Sequence, residues 1–471
     1  MESPVAVSQS SVLAGLSYAL DLTEGQRPGH AVRSCLIGMR IARALQLPET
    51  QREALFYALL LKDLGCSSNA ARFAALFGQH DQQLKADLKG IDWAHALESF
   101  RFVARNAAPG QFFLKRTWRL LAVMARGPEG AREVVRTRCE RGADIASMLG
   151  LPDESAQAIR ALDEHWDGRG QPYARAGEEI PFLARILNLA QTVEVFLDAH
   201  GVDAAFDVAA ARRGRWFAPD VVDALYACRA DEVFWASLRD DAPLEQLVAV
   251  APPDRELAID DARLDLFASA FARVIDAKSP WTYRHSEGVA DIAGSIGRVM
   301  GLDADASRSL RRSALLHDIG KLGVSNLILD KPGRLTDEEF VAMRRHAAHS
   351  LEILSRVPCF APLASAAAGH HERLDGKGYH RGLTADGLSL MTRILAVADV
   401  CDALRSSRPY REGLPTERVL EIMGRDVGTA FDPDVMEALR RSLDGEGVMP
   451  SADAPAARVV TSLAEDYGQA A

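Results

Sequence analysis

The sequence predicts an all-α protein built from two tandem helical bundles, and three observations carry that expectation. Apolar residues recur at spacings of three and four through "SCLIGMRIARALQL" (34–47), "FLARILNLAQTVEVFL" (182–197) and "LDLFASAFARVIDAK" (264–278), the period of a helix with one buried face. Strand signals are weak throughout. The chain also repeats itself in order. His30 in "GHAVRS" and His285 in "RHSEGV" lie 255 residues apart, as do Asp63 in "ALLLKDLGCSS" and Asp318 in "ALLHDIGKLGVS". "DGRGQP" and "DGKGYH", like "ARILNLAQ" and "TRILAVAD", are offset by 208, and "FAPDVVDAL" and "FDPDVMEAL" by 214. Ordered matches at constant offsets mark a duplication. The step from 255 to 208 gives the first copy 47 extra residues between Asp63 and Arg138, a stretch that also reads as helical.

Turns punctuate the helices. In "LGLPDES" and "MGLDADAS" a Gly ends one helix and an Asp or Ser is offered to cap the next. A Pro pair with acidic flanks in "DDAPLEQLVAVAPPDRE" (240–256) reads as a linker. The expected division is 1–239, the linker 240–256, 257–450, and a weakly structured tail over 451–471.

Composition bounds the function. At 471 residues the chain exceeds one ordinary core. A net charge of −10 argues against a DNA-binding protein, which needs a basic face. It leaves room for a small anionic substrate held by local cations. Six scattered cysteines without a CxxC pair read as reduced core residues, and no signal peptide or membrane span is evident. The expectation is a cytoplasmic protein.

Seven of the twelve histidines fall between 285 and 380. The candidate ligands are His285, His317, Asp318, His346, the adjacent pair His370 and His371, and Asp399, each within or at the end of a helical segment, so that inward-pointing side chains can meet in a bundle core. Seven ligands are too many for one tetrahedral ion and suit two, with Asp318 as the natural bridge. His349 and His380 stand outside this pattern.

The string "HSEGV…LLHDIGKLG…MRRHAAHSLEIL…HHERLDGKGYH…VADVCDALRSSRPYR…FDPDVMEAL" resembles the HD-GYP branch of the HD phosphohydrolase superfamily over about residues 265–440. The resemblance implies an all-α domain with a binuclear or trinuclear metal centre, usually iron or manganese, that hydrolyses cyclic dinucleotides, principally cyclic di-GMP. It makes the seven residues above the metal ligands. Lys321 would contact the substrate phosphate, and Tyr379 with Arg408 and Arg411 would hold phosphates or guanine. Three departures from the family stand out. His380 replaces the GYP proline and gives up its fixed φ. Trp281 stands where three-metal members carry a Glu, which favours two ions. Ala347 and Ser350 replace the proline and glycine of HPxxG.

In the first copy the same alignment turns His317 into Lys62, His346 into Arg138, His370–His371 into Leu162–Asp163, Asp399 into Gln191 and Lys321 into Cys66. Cations placed where a cation should bind make this half a degenerate HD domain that packs on, dimerises or regulates the catalytic one. Lys62 and Arg138 could form a buried salt bridge with Asp63 or sense an anion. The leading expectation is a phosphodiesterase with two divalent ions, iron or manganese, which opens cyclic di-GMP to linear pGpG, and on to GMP, by a metal-bridged hydroxide. The alternatives are a 3′,3′-cyclic GMP-AMP phosphodiesterase and a slow signalling scaffold that binds diguanylate cyclases. A nucleotidase of the wider superfamily is disfavoured by the full HHERLDGKGY string.

Overall fold

A computed structural model describes residues 8–92, 96–107, 113–239, 243–252, 260–282, 284–406 and 412–445. The tail beyond 445 and residues 407–411, with Arg408 and Arg411, lie outside the described residues.

The first half runs α1 (Gln9–Thr23), α2 (His30–Ala44), α3 (Glu49–Leu61), α4 (Ala70–Phe77), α5 (Asp81–Lys89), α6 (Ala96–Asn106), α7 (Phe113–Met148), α8 (Asp153–Arg160), α9 (Phe182–His200), α10 (Val202–Ala211), α11 (Pro219–Ala227) and α12 (Glu232–Ser237). After α13 (Pro243–Val250), the second half runs α14 (Asp261–Asp276), α15 (His285–Val299), α16 (Ala304–Leu316), α17 (Asn326–Leu329), α18 (Asp337–Ser355), α19 (Ala361–Ala368), α20 (Leu390–Arg405), α21 (Thr416–Gly424) and α22 (Pro433–Leu443). Among the described residues there is no named strand, only three isolated bridges. The 34–47, 182–197 and 264–278 periodicities fall on α2, α9 and α14.

Caps follow the local sequence. Gly301, at φ 77°, closes the turn after α15, and Asp303 accepts from the Ala306 N–H at 2.8 Å to start α16. A Thr336–Glu339 capping box starts α18. At 149–153 Gly150 ends α7 as expected, but Pro152 holds the N-cap of α8 without a side-chain bond. The stretch read as a linker holds α13, whose Leu247 is buried in the core.

Duplication is written into the contacts. Asp21 accepts from the Ala31 N–H and Asp276 from the Ser286 N–H, both steps of 255. Arg185 Nε donates to the Ile180 carbonyl and Arg393 Nε to the Leu388 carbonyl, a step of 208. The Gly214 N–H meets the Phe217 carbonyl as the Gly428 N–H meets that of Phe431, a step of 214. A Cβ on Gly65 would sit 1.9 Å from the Arg138 carbonyl oxygen, and one on Gly320 would sit 1.9 Å from that of His346. Both glycines are therefore required by the same close approach, and Arg138 stands where His346 stands. The 47 extra residues form α4, α5, α6 and the start of α7.

One hydrophobic core runs through both halves. Between them α1 presses on the end of α18: a Cβ on Gly15 would lie 2.7 Å from Val357 Cγ2, and Tyr18 donates to Glu352 at 2.8 Å. From the insertion, Asp81 pairs with Lys278 at 3.4 Å, both side chains 0% exposed, and accepts from the Asn326 N–H at 2.8 Å. Gln82 Nε2 donates to the Leu22 carbonyl at 3.1 Å and, at 3.3 Å, to that of Leu322, in the turn after His317 and Asp318. No described helix is long and apolar enough to cross a membrane.

Candidate metal centre

All seven expected ligands converge in the second half. His285 opens α15, His317 ends α16, and Asp318 follows it. His346 lies within α18, His370 and His371 follow α19, and Asp399 lies in α20. Three local bonds orient the imidazoles: Nδ1 of His317, His346 and His370 meets the carbonyl oxygen three residues earlier, in Ala314, Met343 and Ala367, at 2.6, 2.7 and 2.6 Å. Each Nδ1 must then carry the proton, which leaves each Nε2 lone pair facing the cluster.

The cluster has two lobes joined by Asp318. Its Oδ2 lies 3.1 Å from His317 Nε2 and 3.6 Å from His285 Nε2. Its Oδ1 lies 3.6 Å from His346 Nε2 and 3.7 Å from His370 Nε2. Asp399 mirrors this span, with Oδ1 3.2 Å from His285 Nε2 and Oδ2 3.9 Å from His371 Nδ1. Ligand atoms close enough to share one ion group as His285–His317–Asp399, His317–Asp318–His370 and His346–His370–His371.

Electrostatics favour a cation here. Burial opposes charge on Asp318, but His317 and Lys321 hold its carboxyl well below the usual range; Asp399 is likewise held down, by His285 and His371. Burial drives His346 down to about 4 and His371 to about 3, leaving neutral imidazoles able to donate lone pairs. Against its own burial, His285 is pulled well up by Asp318, Asp399 and Asp402. His317 Nε2 and Asp318 Oδ1 are buried with no hydrogen-bond partner among the described residues, a costly arrangement unless something else binds them. The donor set fits divalent metal ions.

Lys321 borders the centre, paired with Asp318 through Oδ2 and 17% exposed. The Tyr379 ring lies 4.5 Å from that of His371, with the Arg344 guanidinium carbon 4.9 Å from its centroid. His380 adopts φ 95°. The loop around it is held by Glu372, which accepts from the N–H groups of Arg381 and Leu383 at 2.7 and 3.0 Å. Glu164 plays the same part in the first half, accepting from Tyr173 and Arg175.

Sequence reasoning missed Asp402. Its Oδ2 lies 2.7 Å from His285 Nδ1, fixing the ring so that Nε2 faces Asp318 and Asp399. The signal was available in "VADVCDAL", where Asp402 follows Asp399 by one helical turn. Asp402→Ala is expected to weaken metal binding about 10–100-fold, read by titrating metal into the stripped protein. Unchanged affinity would remove Asp402 from the site.

The first half repeats the frame without the ligands. His30 Nδ1 is held by Glu194, the counterpart of Asp402. Lys62 pairs with Asp63, while Arg138 pairs with Asp163 rather than with Asp63. Lys89, brought in by the insertion, lies 3.6 Å from Asp63, 3.1 Å from Glu24 and 3.5 Å from His30 Nε2. Glu24, Asp63 and Cys66 do lie within ligating distance of one another. Ammonium groups already neutralise both carboxylates, and burial keeps the Cys66 thiol protonated.

The HD domain family profile matches residues 129–221 and 269–435. The chain is 43% identical to 3′3′-cGAMP-specific phosphodiesterase 3 of Vibrio cholerae, over 92% of this chain and 94% of that one. It is 38% identical to a cyclic di-GMP phosphodiesterase of Pseudomonas aeruginosa, over 65% of this chain and 64% of that one. A crystal structure of a cyclic GMP-AMP-specific phosphodiesterase from V. cholerae aligns with a TM-score of 0.64 at 38% identity, covering 94% of this chain and 99% of that one.

Proposed function

This chain belongs to the HD domain family, and from that premise we propose that it takes 3′,3′-cyclic GMP-AMP as preferred substrate at a two-metal centre in its second half. It is a metal-dependent cyclic dinucleotide phosphodiesterase. Preference for the mixed dinucleotide is supported by the V. cholerae relative that matches over nearly its whole length. Cyclic di-GMP, the leading expectation from sequence, is the second reading, supported by the P. aeruginosa relative.

The observation that carries the site is Asp318, with one carboxylate oxygen facing each lobe. His285, His317 and Asp399 would hold one ion, His346, His370 and His371 the other, and Asp318 both. Imidazole-rich ligation disfavours magnesium as the sole tight-binding ion and suits iron or zinc, and the added carboxylates also admit manganese. When bound, such ions neutralise phosphodiester charge and lower the pKa of water towards ~7.

Hydrolysis adds water to one phosphorus, breaks the P–O3′ bond and passes a proton to the leaving 3′ oxygen, giving a linear dinucleotide with a 5′ phosphate. Lys321 holds Asp318 in position and keeps further N–H donors for a non-bridging phosphate oxygen. Tyr379, beside His371, offers its ring to a base. Residues 1–239 would act as the regulatory half, docked on residues 257–450 by α1 and α5. Dimerisation through that half is compatible with the enzyme, whereas capture of a diguanylate cyclase belongs to the scaffold reading, which the complete ligand set disfavours.

Turnover of Fe(II)- or Mn(II)-loaded protein, assayed anaerobically on both cyclic dinucleotides, tests this. Linear product should form faster from cyclic GMP-AMP and vanish after chelation. Faster turnover of cyclic di-GMP would reverse the substrate assignment. No turnover at full metal loading would leave a scaffold.

A further inference from the structure

A cavity of about 830 Å³ opens in the first half, within the size range of small-molecule sites. It occupies the place where the second half gathers its ligands. Cys66, Arg138, Asp163 and Gln191 line it, and these are the counterparts of Lys321, His346, His371 and Asp399. Of the seven ligand positions, two now carry fixed cations, Lys62 and Arg138, and Leu162, Asp163 and Gln191 replace three more.

The lining has two characters. Phe73, Leu76, Phe77 and Leu88, from the inserted α4 and α5, make an apolar wall. Another part carries His165 and Trp216, stacked with centroids 4.0 Å apart, and the cationic groups of Lys89 and Arg138. Arg138 spends one nitrogen on Asp163, and a guanidinium has five N–H donors. Three lining residues carry buried polar atoms without a partner among the described residues: His165 Nδ1, Gln171 Oε1 and Trp216 Nε1. A donor, an acceptor and an imidazole nitrogen that can be either match the mixed edge of a nucleobase, the apolar wall with Phe73 and Phe77 suits its faces, and fixed cations suit phosphate.

We propose that this cavity is a non-hydrolytic regulatory site for a phosphorylated purine nucleotide, the chemistry shared by the cyclic substrate and its linear products. The choice of ligand rests on the cyclic dinucleotide reading of the other half. The site cannot hydrolyse, because Lys62 and Lys89 neutralise the carboxylate that would hold metal. α5 links it to catalysis. At one end Lys89 reaches the cavity; at the other Asp81 and Gln82 hold Lys278, Asn326 and the Leu322 carbonyl, one residue beyond Lys321. A ligand that draws on Lys89 pulls on a short helix whose far end grips the turn carrying the catalytic lysine.

The test is equilibrium dialysis of the full chain carrying Asp318→Ala, which keeps the second half from consuming the probes. The probes are 3′,3′-cyclic GMP-AMP, its linear dinucleotide product and GMP. Gln191→Trp, which plugs the cavity from α9, should lower the binding stoichiometry by one per chain for at least one probe. Arg138→Ala should weaken that same site tenfold or more, with partial recovery in Arg138→Lys. The bound probe should also slow hydrogen exchange along Asp81–Lys89. Which probe loses a site distinguishes substrate sensing from product sensing. Equal stoichiometry with and without the plug overturns the proposal; should the plugged chain fail to fold, an unchanged affinity in Arg138→Ala overturns it. Failure of the catalytic reading would show in wild-type turnover and leave this binding result standing.

Discussion

Asp318→Ala is expected to lower cyclic dinucleotide hydrolysis by about 10³-fold or more and to empty both halves of the metal centre at once. Its two oxygens face different histidine pairs, at 3.1 and 3.6 Å on one side and 3.6 and 3.7 Å on the other. Lewis-acid stabilisation is worth several kcal/mol, and each ~1.4 kcal/mol is tenfold in rate. The contrast is His371→Ala, which touches one lobe and should leave close to one ion per chain. Metal analysis of the two purified variants, alongside turnover, separates a bridging carboxylate from one ligand among equals. If Asp318→Ala keeps one tightly bound ion, the bridge is wrong.

Asp81→Ala is expected to destabilise the whole chain by about 3–5 kcal/mol, because it strands the Lys278 ammonium in a site closed to solvent. The two side chains are 0% exposed, and burial already disfavours the charge on Lys278. Asp81 also accepts from the Asn326 N–H, so the variant loses a backbone anchor in the same step. The double variant Asp81→Leu with Lys278→Met should recover much of the loss, since an apolar pair no longer contains an unpaired charge. Urea unfolding midpoints of the single and double variants check this. A single variant within about 0.5 kcal/mol of wild type would mean that water reaches Lys278.

The convergence of the seven candidate ligands was legible in the sequence because each sits in a short string with its own spacing, and the duplication because insertion changed one offset and left order intact. Helix phase explains what was missed. Asp402 looks like a surface acid until α20 is laid against the start of α15, where its carboxylate meets His285 Nδ1. Lys89 is invisible for a related reason: it lies in the insertion, where no counterpart in the second copy draws attention to it. Lys62 was expected near Asp63 and is there, whereas Arg138, with the same expectation, turns to Asp163. That choice depends on which carboxylate the tertiary fold brings nearer. Within the Pro-rich stretch read as a linker, Leu247 finds a buried place that local composition does not encode.

His380 carries a consequence for anyone tempted to restore the ancestral-looking GYP. At φ 95° its backbone has entered territory that a pyrrolidine ring, fixed near −65°, cannot follow. Proline there requires a different path through the turn, and the first half shows one: Pro172 holds the matching position inside the same clasp, made by Glu164. At this position the two copies of one domain show two backbone paths through a shared clasp, one closed to proline and one that contains it.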